Sequence, residues 1–289
     1  MGVSHRRRGD GRRFRNTTMT WKHLRLPLLI VLSWGSLLFV SALAVGKTSG
    51  IQAPTRKSAP ARSVPEGPAA VPFHAGEGLA FRVIWSKFSV NAGNLELSVL
   101  ERRDFFGRLA WHFQATAHSM DTMRILYALD DQFDSYADAG ALTSLQYEMY
   151  LHEQGKQQNN SWRMSTANSP SMPTNVTIAQ VLPGTRDPVG LIYALRAADW
   201  TRQAEFRAPV FDGHNLYEVI ARPEQSPAEV TVPAGQFSAT CINVRVFQHG
   251  QELSDTHFAV WLAQNATHTP VLIEAAIPLG TARVELAKL

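Results

Sequence analysis

A single cysteine, Cys241, in 289 residues leaves no partner for an internal disulfide. It also leaves no material for a four-cysteine zinc site, an iron–sulfur cluster or a CxxC redox pair. Charge is sparse, with only 18% of residues Asp, Glu, Lys or Arg. Nineteen Gly and sixteen Pro are far too few for a collagen-like chain, and a 45% hydrophobic fraction excludes wholesale disorder. No HExxH, GxSxG, P-loop or GxGxxG stretch occurs, so zincin, α/β-hydrolase, nucleotide-hydrolase and dinucleotide chemistry all lack their sequence supports.

The basic charge that is present is concentrated at one end. Residues 1–25 hold eight Lys or Arg against Asp10 alone, and residues 46–72 hold Lys47, Arg56, Lys57 and Arg62 against Glu66. With a net +4 for the whole chain, about −6 remains on residues 73–289. The globular part is therefore acidic, which removes the main support for nucleic-acid binding.

The basic start precedes Leu28 to Val45, eighteen residues without a charge. At ~1.5 Å per residue such a run approaches the ~30 Å of a bilayer core. Ala42-Leu43-Ala44 offers signal peptidase its small side chains, which reads as cleavage after Ala44. The length of the run reads equally as an uncleaved inner-membrane anchor over residues 28–45. Both readings put the remainder outside the cytoplasm, in the periplasm or secreted. Met19 offers an alternative start that already supplies a complete basic n-region. Residues 46–72, rich in Pro, Ala and Ser, read as a linker, and residues 73–289 as a single β-rich domain.

From Phe73 onward the dominant hydrophobic period is two. Leu79, Phe81, Val83 and Trp85 alternate with Ala80, Arg82 and Ile84, and the same period runs through Leu95, Leu97 and Val99, then Leu109, Trp111, Phe113, Ala115 and Ala117, then Leu145, Tyr147, Met149 and Leu151. Gln154-Gly155, Asp212-Gly213 and His249-Gly250 punctuate the runs as turns. One segment breaks the period. Asp187 as N-cap, Pro188 at the first helical position, and apolar residues at 191, 192, 195 and 198 predict an amphipathic helix. The expected fold is mainly β: an antiparallel meander of about ten strands curled into a barrel or half-barrel with that one helix against its concavity. A two-sheet sandwich gives the same alternation and stays open.

Catalytic chemistry is hard to find. His112 and His118 lie six residues apart on a strand, ~20 Å, too far to share a metal, and read as surface histidines. Asp130, Asp131 and Asp134 read as a solvated strand end, without the spaced oxygens and turn glycine of an EF-hand. Glu148 and Glu153 flank a hairpin with no acid–base partner in view, and Cys241 reads as a small buried hydrophobe. Arg196 ends the helix, either complementing its dipole or meeting an anion or lipid headgroup. Neither a metal nor a cofactor is expected.

Several stretches, in order, carry a resemblance: Phe73-His74-Ala75-Gly76-Glu77-Gly78-Leu79, Ala92-Gly93, Asp187-Pro188 with Tyr193-Ala194-Leu195-Arg196, Val210-Phe211-Asp212-Gly213, Val232-Pro233-Ala234-Gly235, and Trp261 followed by Pro270-Val271 and Leu279-Gly280. The chain resembles the bacterial family known as "domain of unknown function 3108". That resemblance implies an exported domain built on a strongly curved sheet, with no settled activity and no catalytic residues to carry over.

The residues themselves support a non-enzymatic envelope protein that holds an apolar ligand, such as a lipid or acyl chain, in the concavity. Phe81, Trp85, Trp111, Phe113 and Phe258 would line it, with Arg196 at its polar end. The alternative is a membrane-tethered assembly module with a filled core that recruits an envelope protein partner through an edge or its acidic face. A hydrolase is a third reading, for which no nucleophile has a placed base.

Overall fold

The structure, a computed structural model, describes residues 70–86, 90–166, 177–277 and 280–289. The expected leader or anchor, and residues 46–69 of the linker, lie outside these. The elements in chain order are β1 (Gly78–Trp85), β2 (Val90–Phe105), β3 (Arg108–Ser119), helix α1 (Asp121–Leu126), β4 (Asp130–Asp138), β5 (Ser144–Glu153), β6 (Lys156–Ser165) and β7 (Thr177–Gln180), then helix α2 (Pro188–Ala197), β8 (Phe206–Phe211), β9 (Leu216–Pro223), β10 (Ala228–Val232), β11 (Gly235–Gln248), β12 (Gln251–Ala263), β13 (Pro270–Ile277) and β14 (Gly280–Lys288). Among the described residues no helix is long and apolar enough to cross a membrane.

The fourteen strands among the described residues belong to one sheet, in the order β7-β6-β5-β4-β3-β2-β1-β14-β13-β12-β11-β9-β8, with β10 paired to β11 off this path. A single sheet excludes the sandwich. β1 pairs with both β2 and β14, so the first and last strands join two meanders into one surface. Register shifts at Val83/Ile84, Val99/Glu101, Tyr136/Ala137 and Trp261/Leu262 insert extra residues into the ladders, and such bulges bend and twist a sheet.

The curl brings the two ends of the sheet together without a continuous ladder. Thr185 accepts from the Ser144 amide of β5 (3.0 Å), while Arg186 donates to Pro209 (3.0 Å) and accepts from Phe211 (2.8 Å) of β8. Trp162 of β6 meets the Phe211 ring edge-on, with 5.9 Å between centroids. Gly213, at φ 100°, turns so close beneath Trp162 that a Cβ there would come within 2.9 Å of the indole.

The period-two reading holds along most strands, and its exceptions have local causes. Phe81, Val83, Leu95, Leu97, Phe113, Ala115, Tyr147 and Met149 all point into the core. Leu109 is 48% exposed, because β3 begins in a hairpin that projects beyond the start of β1. Leu145 falls at the bulge opposite Tyr136/Ala137 and packs with Phe105 and Ala110 in a small separate cluster against Tyr136. Phe106-Gly107, Gln154-Gly155 and His249-Gly250 all take positive φ at both positions, the twist that two-residue hairpins require.

The helix is a correction. The sequence reading made 188–198 amphipathic and the sole helix, whereas α1 also forms, and every residue of α2 from Pro188 to Arg196 is buried. The run PVGLIYAL contains no charged side chain, and a helix apolar on all sides belongs inside a core.

Candidate functional site

Helix α2 is pinned at both ends. Asp187 is fully buried; its carboxylate accepts from the Gly190 amide (2.8 Å) and from the hydroxyls of Ser135 on β4 (2.6 Å) and Ser144 on β5 (2.5 Å). Burial raises the Asp187 pKa, and these donors offset part of that rise. At the other end the His268 ring meets the Arg196 carbonyl (2.7 Å), and Trp200 donates to the Leu195 carbonyl (2.9 Å). The helix is thus tied at its start to β4 and β5 and at its end to the β12–β13 connection through Thr267 and His268.

Arg196 is 1% exposed and makes a bidentate pair with Glu77, Nη1 to Oε1 at 2.6 Å and Nη2 to Oε2 at 3.0 Å. Nη2 also donates to the Thr267 carbonyl (3.0 Å). Glu77 belongs to a short strap, residues 71–77, that precedes β1 and is held to β2 by reciprocal backbone bonds of Gly76 and Glu77 with Val99 (2.7 and 2.9 Å). The strap carries Phe73 into the interior. Its ring meets Trp111, Phe113 and Tyr193 edge-on at 5.3, 5.3 and 5.2 Å, and the Arg196 guanidinium at 5.4 Å. Phe113 and Tyr193 stack at 3.8 Å.

Among the described residues, three donors around this ring have no acceptor: Trp111 Nε1, Tyr193 Oη and Arg196 Nε. Buried donors in folded proteins are nearly always satisfied, so three beside one apolar ring mark an unusual place. Burial also raises the Tyr193 pKa, keeping its hydroxyl protonated as a donor.

All six residues expected to contact a ligand are interior, none more than 7% exposed. The strap and α2 bring Trp111, Phe113 and Arg196 together, while Phe81, Trp85 and Phe258 line the same core from β1 and β12. Sequence reasoning did not assign Phe73, Glu77 or Tyr193 to this site. Glu77 and Arg196 stand 119 residues apart, and nothing in local period couples them.

The carboxylates and histidines of β3 to β5 correct other expectations. Asp131 and Asp134 are buried, not solvated; only Asp130 of the trio is partly exposed, paired with Arg124 (2.7 Å). Asp134 accepts from His112 (2.7 Å), Gln114 (3.0 Å) and Gln132 (2.6 Å), and these bonds hold its pKa below the usual range despite burial. His112 is thus largely covered, stacked on Tyr136 at 4.3 Å, whereas His118 is a surface residue. Glu148 accepts from Gln146, Tyr150 and Ser161, and Glu153 from Tyr127.

Cys241 is buried at the base of an outer depression of about 340 Å³, lined also by Glu224, Asn243, Trp261 and Glu274. Burial, helped by the two carboxylates, pushes its thiol up to about 12, so it stays protonated and unreactive. Among the described residues no group of three His, Cys, Asp or Glu is arranged to hold a metal ion.

Fold and site together define a single-sheet β protein, curled around a buried helix that an N-terminal strap locks in place. The chain belongs to the family DUF3108, proteins of unknown function, which it matches over residues 80–287. No curated protein matches the sequence. Among solved structures it is similar to a β-barrel-like protein of the DUF1849 family from Brucella abortus, at 10% identity and TM-score 0.45, over 73% of this chain and 95% of that one. It is also similar to a candidate exported protein with a YmcC-like fold from Bacteroides fragilis, at 12% identity and TM-score 0.35, over 75% of this chain and 97% of that one. A candidate lipoprotein from Parabacteroides distasonis is similar at 10% identity and TM-score 0.36, over 75% of this chain and 97% of that one.

Proposed function

We propose that the protein is a non-enzymatic component of the bacterial cell envelope that holds an apolar ligand, such as a lipid or acyl chain, at the α2 end of its curled sheet. The basic leader and the uncharged run 28–45 support export to the periplasm, with or without a retained anchor. The observation that carries the ligand reading is the set of acceptor-free donors on Trp111, Tyr193 and Arg196 within an otherwise apolar wall. Ligand sites typically combine such a wall with a few convergent polar groups. Native mass spectrometry of protein purified from its own host tests it. A mass increment that dissociates as a lipid or fatty acid is expected; apo protein alone, with no lipid uptake in vitro, contradicts it.

The second reading, a tethered interaction module, is favoured by the tight ring contacts between Phe73, Phe113 and Tyr193, which fill the α2 end. In that case cross-linking in the envelope gives one discrete protein adduct, lost on proline substitution in an edge strand, while native mass spectra stay apo.

A further inference from the structure

Resting on the reading that the α2 end holds an apolar ligand, we propose that the strap 71–77 is an internal occupant of that seat and that the ligand it gives way to is an amphiphile with a carboxylate head. Phe73 fills the slot walled by Trp111, Phe113 and Tyr193, and Glu77, four residues on, fills the guanidinium fork of Arg196. One segment thus presents an apolar group and a carboxylate at fixed separation, which is the chemistry of a fatty acid.

The charge balance selects the ligand. Arg196 is rooted in α2, so its guanidinium stays at the slot when the strap leaves. A neutral lipid would leave that cation unpaired in a low-dielectric wall, a severe penalty, whereas an incoming carboxylate restores the bidentate pair. An incoming head can also reach Nε, which Glu77 does not engage, and the Tyr193 and Trp111 donors lie around the same slot. The strap is light enough to leave. It belongs to no strand of the sheet, and its ties are the Phe73 ring, the Glu77 carboxylate, and the Gly76 and Glu77 backbone bonds to Val99. Strap and ligand compete for one seat, so weakening the strap's hold tightens ligand binding by the same factor.

The test is a fluorescence titration of the full chain with cis-parinaric acid and with its methyl ester, which lacks the charge. The acid should bind at least tenfold more tightly than the ester, and Phe73→Ala should tighten acid binding about tenfold. Hydrogen exchange on the wild-type chain supplies a readout independent of the variant's folding: saturating acid should increase exchange of the Gly76 and Val99 amides, which tie strap to β2, as the strap is expelled. Equal binding of acid and ester, unchanged acid affinity in a folded Phe73→Ala protein, or greater protection of 71–77 on binding overturns the strap proposal while leaving ligand holding intact. Failure of both probes to bind wild type and Phe73→Ala alike overturns the ligand reading with it.

Discussion

At the scale of single residues, the Arg196–Glu77 pair illustrates why a buried ion pair is a constraint as much as a contribution to stability. Removing one partner strands the other charge in the core, at a cost of ~3–5 kcal/mol, while replacing both by apolar residues of similar volume is often neutral or stabilising. Glu77→Gln is therefore expected to lower unfolding stability by about that amount in denaturant titrations, and the Glu77→Leu/Arg196→Met double variant to recover most of it. Asp131 gives a pH prediction. Burial pushes its carboxyl up to about 7; the His152 amide offsets part of that rise, and the Glu153 and Asp130 charges add to it. The folded state thus holds this proton more tightly than the unfolded state, whose Asp titrates near ~3.9. The stability it confers is full below that value and is lost as pH rises through about 7. Asp131→Asn should raise the melting temperature at pH 8 and change it little at pH 4; an equal shift at both values contradicts the assignment. Gly93 is needed for space, since a Cβ there would sit 2.2 Å from the His118 carbonyl oxygen. Gly93→Ala is expected to cost ~1–3 kcal/mol, the usual range for overpacking.

At the scale of elements, local chemistry was legible and long-range register was not. The start of α2 could be read from Asp187-Pro188 because capping is a contact across three residues, and the two-residue turns at Gln154-Gly155 and His249-Gly250 because positive φ favours Gly and its neighbours. The turn of Leu145 away from the main core could not be read, since Leu145 is itself the extra residue of the bulge and an inserted residue leaves no mark in the alternation. The burial of α2 on every side was written in its uncharged PVGLIYAL run, but the period-3.6 pattern in the same residues drew the reading toward an amphipathic helix. Because Asp187 caps the helix and also ties it to β4 and β5, Asp187→Ala should cost more than an ordinary surface cap, at or above the upper end of ~0.5–2 kcal/mol. At ~2–4 °C per kcal/mol for a domain of this size, a calorimetric scan resolves the difference.

At the scale of the whole molecule, the pairing of β1 with β14 ties the ends of the domain together and sets the strap beside α2. Period two announced strands but could not order them, so the single sheet, its bridging segment at Arg186 and the meeting of Glu77 with Arg196 all required the fold. Of the six residues expected to meet a ligand, the five aromatics could be named from their apolar facing and Arg196 from its place at the helix end, whereas Phe73 and Tyr193 joined Trp111, Phe113 and Arg196 only through tertiary packing. The central claim is that acceptor-free donors in this interior receive a bound ligand. The indole ¹⁵N–¹H resonance of Trp111, assigned by its loss in Trp111→Phe, reports this directly during titration with dodecanoate. A saturable downfield shift at one equivalent is predicted; an unmoved Trp111 resonance at saturating dodecanoate contradicts the account.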